Sequence, residues 1–230
     1  MTLELITFDL DDTLWDTAPT IIKAEATLRD WLALHAPALG EFPREASLAI
    51  RTRLVAAEPG LQHRISALRR LVLLHALREA GYGDPEAERL ADESFEVFLH
   101  ARHQVELFAD VRPMLDLLST DYTLGVVTNG NADVRRLGMM NYFKFALCAE
   151  DLGIGKPDAA PFLEALRLGG AAAQRAVHVG DHPVDDIAGA QRAGLRAIWY
   201  NPQGKAWEHE HTPDAEIQSL SQLPQTLKTL

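Results

Sequence analysis

The chain is poor in cysteine and in positive charge, and both shortages limit what it can be. Cys148 is the one cysteine, so no internal disulfide can form, and its apolar surroundings predict a small core residue. The 22 Lys and Arg residues are outnumbered by 33 Asp and Glu, which gives a formal net charge of −11. This charge repels nucleic acid and no basic segment offsets it, so we expect no nucleic-acid partner.

Long apolar runs are also absent. No segment approaches the roughly 18 consecutive apolar residues that indicate a membrane-spanning helix, and the first residues predict a short strand rather than a signal sequence. We therefore expect no membrane association and a cytoplasmic location. The 230 residues, 47% of them hydrophobic, are enough for one full core and a smaller appended unit.

Several common site motifs are missing. A calcium-binding loop that starts at Asp9 would need Gly at its sixth position and Glu at its twelfth, where the chain has Leu14 and Thr20. A phosphate-binding loop that ends at Lys156 would need Gly where the chain has Glu150. There is no Gly-x-Gly-x-x-Gly segment, and the histidines lack the spacing of a zinc site. These classes of site are excluded.

Short apolar runs alternate with helical patterns in the second half of the chain. Together with the first apolar run, strands are predicted at 3–8, 122–127, 145–149, 176–179 and 197–200. Helices are predicted between them at 112–119, 132–137, 157–168 and 184–193. This alternation indicates a parallel sheet covered by helices.

A helical insert separates the first strand from this alternating part. Its helices are predicted at 19–36, 45–58, 61–80 and 85–107. The helix at 61–80 is rich in arginine and the next one in acidic residues. The arginines could bind an anionic substrate or pair with those acids, and we favour the pairing.

Two carboxylates stand two residues apart at the end of the first strand. Side chains at this spacing leave a strand on the same side, so Asp9 and Asp11 should converge. Their repulsion is costly unless a cation or a proton relieves it. The pair fits a metal site in which one carboxylate attacks phosphorus and the other moves a proton, although Asp-rich turns are also common for structural reasons. Asp12 should point the other way, and we assign it no role.

Polar residues follow the other predicted strands as well, where open parallel sheets bind their ligands. Thr128 offers a hydroxyl to a phosphoryl oxygen, and Lys156 adds a cation at the start of a helix. Asp181 and Asp186 add oxygen ligands of the kind that Mg²⁺ prefers. The strand ends together predict a phosphoryl-binding and metal-binding site.

Four ordered motifs resemble those of the haloacid dehalogenase superfamily. They are Asp9-Leu10-Asp11-Asp12-Thr13, Val126-Val127-Thr128-Asn129-Gly130, Lys156-Pro157 and Gly180-Asp181 through Asp186. The resemblance spans the chain and implies an α/β fold: a Rossmann-like, doubly wound parallel sheet with an inserted α-helical cap domain. We expect the core at 1–16 and 109–230, and at 17–108 a cap that closes over the site and selects the leaving group.

The resemblance also implies roles in the reaction. Asp9 is expected to be the nucleophile, and Asp11 the general acid and base. Thr128 and Lys156, with Asn129 in the same motif as Thr128, are expected to bind the phosphoryl group.

Further expectations concern the metal and the substrate. The resemblance implies Mg²⁺ as the cofactor, held by Asp9, Asp11 and Asp181, with Asp186 as a further ligand or as the partner of Lys156. Trp15 follows the first motif, where the family's cap hinges, and would either stack on a substrate ring or pack in the core.

Asp11 distinguishes among the activities of the family. Its dehalogenases and phosphonate hydrolases lack this second Asp, whereas its phosphatases and mutases have it. We therefore predict a magnesium-dependent phosphatase for a small phosphorylated metabolite. Segments 18–22, 57–59 and 128–132 resemble bacterial members that act on flavin mononucleotide and on a ribityl phosphate precursor of riboflavin. A phosphomutase and a non-catalytic binding or regulatory protein are the alternatives, and monomer and homodimer both stay open.

Overall fold

The chain divides into two compact units in a computed structural model that describes residues 2–230. One unit contains the residues up to Asp16 and Glu106–Leu230, and the other contains Thr17–Val105. The chain returns to the first unit at Glu106, whereas we expected residue 109. Each unit has its own hydrophobic core.

The first unit is built on a parallel sheet of six strands, which confirms the predicted α/β class. The strands are β1 (Leu5–Phe8), β2 (Thr123–Thr128), β3 (Phe145–Cys148), β4 (Ala176–Gly180), β5 (Arg196–Tyr200) and β6 (Ala215–Ile217). Their order is β3-β2-β1-β4-β5-β6, and every neighbouring pair is parallel. All four residues of β1 are buried, as a central strand of a sheet covered on both faces requires.

Helices of the first unit follow the strands and cover the sheet. Numbered together with those of the second unit, in chain order, they are α5 (Val111–Leu118), α6 (Ala149–Leu152), α7 (Ala159–Gly169), α8 (Gly189–Arg192) and α9 (Leu223–Thr226). A π-helical turn, Pro183–Ala188, precedes α8. Helix α7 begins where the Asp158 carboxylate accepts the backbone N–H of Ala160, and it ends at Gly170 in the left-handed conformation (φ 75°).

The second unit is entirely helical. Its main helices are α1 (Thr17–His35), α2 (Arg44–Ala57), α3 (Ile65–Glu79) and α4 (Asp84–Arg102). Apolar residues of α4 recur three or four positions apart, so Leu90, Ala91 and Phe98 share one buried face. That face packs with Leu28 of α1 and Leu77 of α3 in one core. Within residues 2–230, no helix is long and apolar enough to cross a membrane.

Arginines of α3 pair with acidic residues, as we favoured from the sequence. Arg70 contacts Glu88 of α4 at 2.7 Å, and Arg78 contacts Asp84 at 2.8 Å. Arg69 pairs instead with Glu25 of α1, at 2.7 Å. These bridges are part-exposed and contribute little stability individually, but they join the helices of this unit.

Some local expectations differ from the structure. The helix expected at 132–137 is absent, because this segment makes one turn that closes at Gly138 (φ 65°). The helix expected at 61–80 is shorter, since Pro59–His63 forms a separate 3₁₀ turn before α3. Strand β6 was not predicted, because three residues are too few for an alternating pattern to stand out.

Gly125 of β2 supports a test of sheet packing. A Cβ at this position would collide with three ring carbons of Phe145 on β3. Gly125→Ala should therefore lower the free energy of unfolding by about 1–3 kcal/mol through overpacking, as measured by urea denaturation. Gly60→Ala, where a Cβ meets nothing within 4 Å, is the control and should have no such effect. An equal response of both variants would contradict the packing argument.

Candidate active site

The carboxyl ends of three neighbouring strands build the site. Strand β1 lies between β2 and β4, and the strand order reverses at this point, which is where open α/β sheets bind ligands. Asp9 follows β1, Thr128 ends β2, and Asp181 follows β4. The backbone N–H of Asp9 still donates to Val179 O of β4 at 2.9 Å. The register of the sheet therefore sets the position of Asp9.

Lys156 binds two carboxylates at once. Its Nζ lies 2.6 Å from Asp9 Oδ1 and 2.5 Å from Asp186 Oδ1. All three side chains are buried, with residue exposures of 5% for Lys156, 7% for Asp9 and 1% for Asp186. Burial lowers the pKa of Lys156, but Asp186 and Asp9 outweigh burial and hold that pKa above its usual value. The lysine is therefore a fixed cation at the centre of the site.

Asp186 is also held by groups other than Lys156. His178 Nε2 lies 3.1 Å from Asp186 Oδ1, and the backbone N–H of His182 donates to Oδ2 at 2.9 Å. Thr7 Oγ1 lies 2.9 Å from His178 Nδ1. Burial would raise the pKa of Asp186, but Lys156 and His178 hold it well below its usual range. Asp186 therefore stays ionised.

The His178 ring has one arrangement of protons that satisfies both of its partners. Burial lowers the pKa of His178, which favours the neutral ring. Because ionised Asp186 only accepts, His178 donates through Nε2 and accepts the Thr7 hydroxyl at Nδ1. We did not identify His178 or Thr7 as site residues from the sequence. The sequence feature that could have identified His178 is its place on a strand that leads into an acidic motif.

Three carboxylates form a cluster that could hold a metal ion. Ligand oxygens of Asp9, Asp181 and Asp186 all lie within 4.8 Å of one another. Hard carboxylate oxygens are the donors that Mg²⁺ prefers. From the sequence we expected Asp9, Asp11 and Asp181 as metal ligands; the structure brings Asp186 into this cluster, and Asp11 is not one of its members.

The electrostatics of the cluster also fit a bound cation. Burial raises the pKa of Asp9 to about 8; Lys156 opposes this shift, while Asp186 and Asp181 add to it. Burial likewise raises the pKa of Asp181 to about 6, with further contributions from Asp186 and Asp12. A single lysine does not balance this negative charge, so a bound divalent cation would stabilise the ionised carboxylates.

Asn129 contacts the segment that carries Lys156. Its Nδ2 donates to Lys156 O, and its Oδ1 accepts the Lys156 backbone N–H, both at 2.8 Å. Asn129 Nδ2 also lies 3.3 Å from Asp185 Oδ2. We expected Asn129 to bind phosphate, and here its amide positions the lysine. The neighbouring Thr128 is buried, and its Oγ1 accepts the backbone N–H of Gly130 at 3.0 Å.

Glycines leave room for three of the site side chains. A Cβ on any of these glycines would collide with a carboxylate or an amide oxygen. The pairs are Gly130 with Asp11, Gly155 with Asn129, and Gly180 with Asp186. We did not predict these close approaches, because a glycine beside a strand end looks like an ordinary turn residue. The glycines show that the site side chains pack directly against backbone.

Asp11 lies in a turn beyond the strand. Strand β1 ends at Phe8, so the same-side argument for a strand does not apply to Asp11. The N–H groups of Thr13 and Leu14 both bond to Leu10 O, and the intervening Asp12 has φ 60°. Asp12 is exposed, and its charge raises the pKa of Asp181.

The Trp15 side chain is buried and bonded to Asp11. Its Nε1 donates to Asp11 Oδ1 at 3.0 Å. The whole residue is 0% exposed. We expected Trp15 either to stack on a substrate or to pack in the core; it is a buried core residue, and its indole N–H is also bonded to Asp11.

A known protein family matches most of the chain. The family model described as haloacid dehalogenase-like hydrolase matches residues 3–194. The chain belongs to this family of hydrolases.

Individual relatives cover almost the whole chain. The chain is 30% identical over 225 residues to the 5-amino-6-(5-phospho-D-ribitylamino)uracil phosphatase YigB of Escherichia coli, covering 96% of this chain and 94% of the relative. It is also 30% identical over 256 residues to a phosphoserine phosphatase of Thermus thermophilus, and the match covers 96% of this chain and 98% of that relative. A crystal structure described as a 2-haloacid dehalogenase from Pseudomonas syringae pv. Tomato DC3000 is 67% identical, with a TM-score of 0.98 and 99% coverage of both chains.

The acidic cluster predicts that a divalent cation stabilises the fold. Addition of Mg²⁺ to metal-free protein should raise the melting temperature. The increase should be larger at pH 8 than at pH 6, because the pKa of Asp9 is about 8 and the cation must displace its proton. Asp181→Asn should remove most of the increase, as measured by scanning calorimetry.

The control for this experiment is Asp158→Asn. Asp158 caps α7, and asparagine is an equally good capping residue, so the response to Mg²⁺ should be retained. No stabilisation at either pH, or an equal response in Asp181→Asn, would contradict the assignment of the cluster.

Removal of the buried lysine should destabilise the protein. Lys156→Met leaves Asp9 and Asp186 buried without their cation, at a cost of about 3–5 kcal/mol. The loss should be larger at pH 8 than at pH 5. Lys156 lowers the pKa of both carboxyl groups, so its removal raises both. The folded variant then binds more protons than the folded wild-type protein, and the loss of stability grows as pH rises.

Urea denaturation in EDTA at both pH values measures this loss. Lys144→Met is the control, because Lys144 is exposed and contacts Gly169 O at 3.3 Å. It should change the free energy of unfolding by no more than about 0.5 kcal/mol. A pH-independent loss in Lys156→Met would be inconsistent with buried, unpaired carboxylates.

Proposed function

We propose that the protein is a magnesium-dependent phosphatase that hydrolyses a small phosphorylated metabolite through an aspartyl-phosphate on Asp9. The observation that carries the proposal is the second carboxylate, Asp11, held by Trp15 and packed against Gly130 beside Thr128. An alkoxide leaves phosphorus slowly without a proton donor, and a carboxylic acid at this place can supply the proton. A halide needs no such donor.

The proposed reaction has two steps. Asp9 attacks phosphorus while the bond to the leaving oxygen breaks, and Asp11 gives its proton to that oxygen. Asp11, now ionised, then takes a proton from a water molecule that attacks phosphorus, and the Asp9 carboxylate is released. Lys156 keeps Asp9 oriented through its 2.6 Å contact and, with the Thr128 hydroxyl, offers donors to the phosphoryl oxygens.

Mg²⁺ fits the donor set of Asp9, Asp181 and Asp186. When bound there, it would offset the repulsion between the Asp9 carboxylate and a phosphate dianion. The raised pKa of Asp9, about 8, belongs to the metal-free site, and a cation nearby would favour the ionised nucleophile.

The substrate we place first is a flavin-type phosphate: flavin mononucleotide or a riboflavin precursor. Its support is the 30% identity with the ribitylaminouracil phosphatase YigB over nearly the whole chain. The phosphoserine phosphatase of Thermus thermophilus is equally identical, so phosphoserine belongs in the same substrate panel.

A 2-haloacid dehalogenase is the second candidate function. Its support is the 67% identity with the Pseudomonas syringae protein that carries this description. Displacement of a halide by a carboxylate needs no proton transfer to the leaving group, so this reaction gives the Asp11 carboxylate no role. We therefore place phosphoryl transfer first.

The test measures both products with the same enzyme. Phosphate release is followed from flavin mononucleotide, the ribitylaminouracil phosphate, phosphoserine and a sugar phosphate, with Mg²⁺ or with EDTA. Chloride release is followed from 2-chloropropionate. We expect Mg²⁺-dependent phosphate release and no chloride release.

Asp9→Asn should abolish phosphate release while circular dichroism shows an unchanged fold. Asp158→Asn, a change of the same kind at the cap of α7, should keep full activity. Chloride release without phosphate release would establish the dehalogenase, and a phosphorylated isomer as product would indicate a mutase. A binding or regulatory function that survives Asp9→Asn would support a non-catalytic role.

A further inference from the structure

Trp199 contacts the backbone of Asp181. It lies on β5 beside Gly180 of β4, the residue that precedes Asp181. Its indole Nε1 donates to Asp181 O at 2.8 Å, and the residue is 4% exposed. An indole N–H can only donate, and leaving it buried without an acceptor is costly. The bond therefore fixes the loop that carries Asp181 against β5.

The Asp181 carboxylate has a weaker side-chain contact than its two neighbours in the acidic cluster. Lys156 contacts Asp9 and Asp186 at 2.6 and 2.5 Å. The Thr13 hydroxyl lies 3.5 Å from Asp181 Oδ1, which is long for a hydrogen bond. Repulsion by Asp186 outweighs attraction by Lys156 at the Asp181 carboxylate. The place of this carboxylate in the cluster therefore depends on the position of its backbone.

The Trp199 indole is itself held by packing. It belongs to a buried cluster that includes Phe162 and Leu195. The Trp207 ring packs edge-on against it, with 4.8 Å between the ring centroids and 71° between the ring planes. A large ring packed in this way cannot turn without displacing its neighbours. The core thus holds the indole, and the indole holds the carbonyl group of Asp181.

We propose that Trp199 is a positioning residue for the metal site. Its indole holds the backbone of Asp181, so that the Asp181 carboxylate stays near Asp9 and Asp186 and can bind Mg²⁺ with them. The inference rests on the proposed function, because it requires Mg²⁺ as the cofactor. Residues that orient metal ligands from outside the ligand set change metal affinity by about ten- to a hundredfold.

The first test measures Mg²⁺ binding in the absence of substrate. Trp199→Phe keeps an aromatic ring in the core and removes the N–H. Isothermal titration calorimetry of the metal-free protein with Mg²⁺ should show a Kd about tenfold higher than that of the wild type. Circular dichroism in EDTA should show that the variant is folded.

Ile198→Val is the matched control for core packing. Ile198 precedes Trp199 on β5 and is completely buried, but adjacent side chains of a strand point to opposite faces of the sheet. The variant loses a core methylene group and should keep the wild-type Kd for Mg²⁺. An equal rise in Kd in both variants would indicate packing alone and overturn the inference.

The second test separates metal affinity from general damage to the enzyme. Phosphate release by Trp199→Phe is measured as a function of Mg²⁺ concentration. It should be reduced at low Mg²⁺, and kcat should return to the wild-type value at saturating Mg²⁺. A kcat that stays low at saturating Mg²⁺, with an unchanged Kd for Mg²⁺, would contradict a role in positioning the metal ligand.

A third test follows the hydrogen bond itself. In protein with ¹⁵N-labelled indoles, Trp199→Phe identifies the Trp199 signal among the four tryptophans. Coupling is reciprocal, so a bond that strengthens Mg²⁺ binding about tenfold must open about tenfold less often when Mg²⁺ is bound. Hydrogen exchange at the Trp199 indole should therefore be slower in Mg²⁺ than in EDTA. The Trp207 indole, which donates to His209 O at 2.9 Å, is the internal control and should exchange at the same rate in both.

The outcomes distinguish this inference from the proposed function. Wild-type protein that binds Mg²⁺ and releases phosphate, with the same Kd in Trp199→Phe, would overturn the role of Trp199 and leave the phosphatase proposal standing. Wild-type protein that does not bind Mg²⁺ would overturn both. An exchange rate at the Trp199 indole that does not respond to Mg²⁺ would overturn the role of Trp199 alone.

Discussion

The site depends on one buried lysine shared by two carboxylates. Lys156 contacts Asp9 and Asp186 at 2.6 and 2.5 Å, and burial makes these contacts costly unless every partner is satisfied. Asp186 meets this demand through His178 and the backbone of His182. Asp9 is held by Lys156 on one side, and it is the carboxylate that we propose attacks phosphorus.

The sheet topology explains why these groups meet although they are far apart in the sequence. Because β1 is central and the strand order reverses beside it, the residues after β1, β2 and β4 share one edge. The π-helical turn after β4 then places Asp186 next to Lys156, with the backbone N–H groups of both Asp186 and Ile187 bonded to His182 O. Wide turns of this kind occur frequently at functional sites. The strand ends position Asp9, Thr128 and Asp181, and the π-helical turn adds Asp186 to the site.

Sequence patterns predict the strands well because each buried strand is a short apolar run followed at once by polar residues. For this reason the sequence alone predicts that Asp9, Thr128 and Asp181 lie at one sheet edge. The bonds of His178 and Trp15 could not be predicted in this way. His178 depends on the register of β4 against β1 and on the π-helical turn, and Trp15 on a turn whose direction is set by the positive φ of Asp12. The close packing of site side chains against Gly130, Gly155 and Gly180 also produces no periodic pattern in the sequence.

The central claim is that Asp9 becomes phosphorylated during turnover. Rapid mixing of the enzyme with substrate and Mg²⁺, an acid quench within one turnover and peptide mass spectrometry test it most directly. We predict a phosphoryl group on the peptide that contains Asp9, absent after alkaline hydrolysis of the acyl phosphate. Substrate turnover with no phosphoryl group on that peptide at any quench time, or with the group on a different residue, would contradict the account.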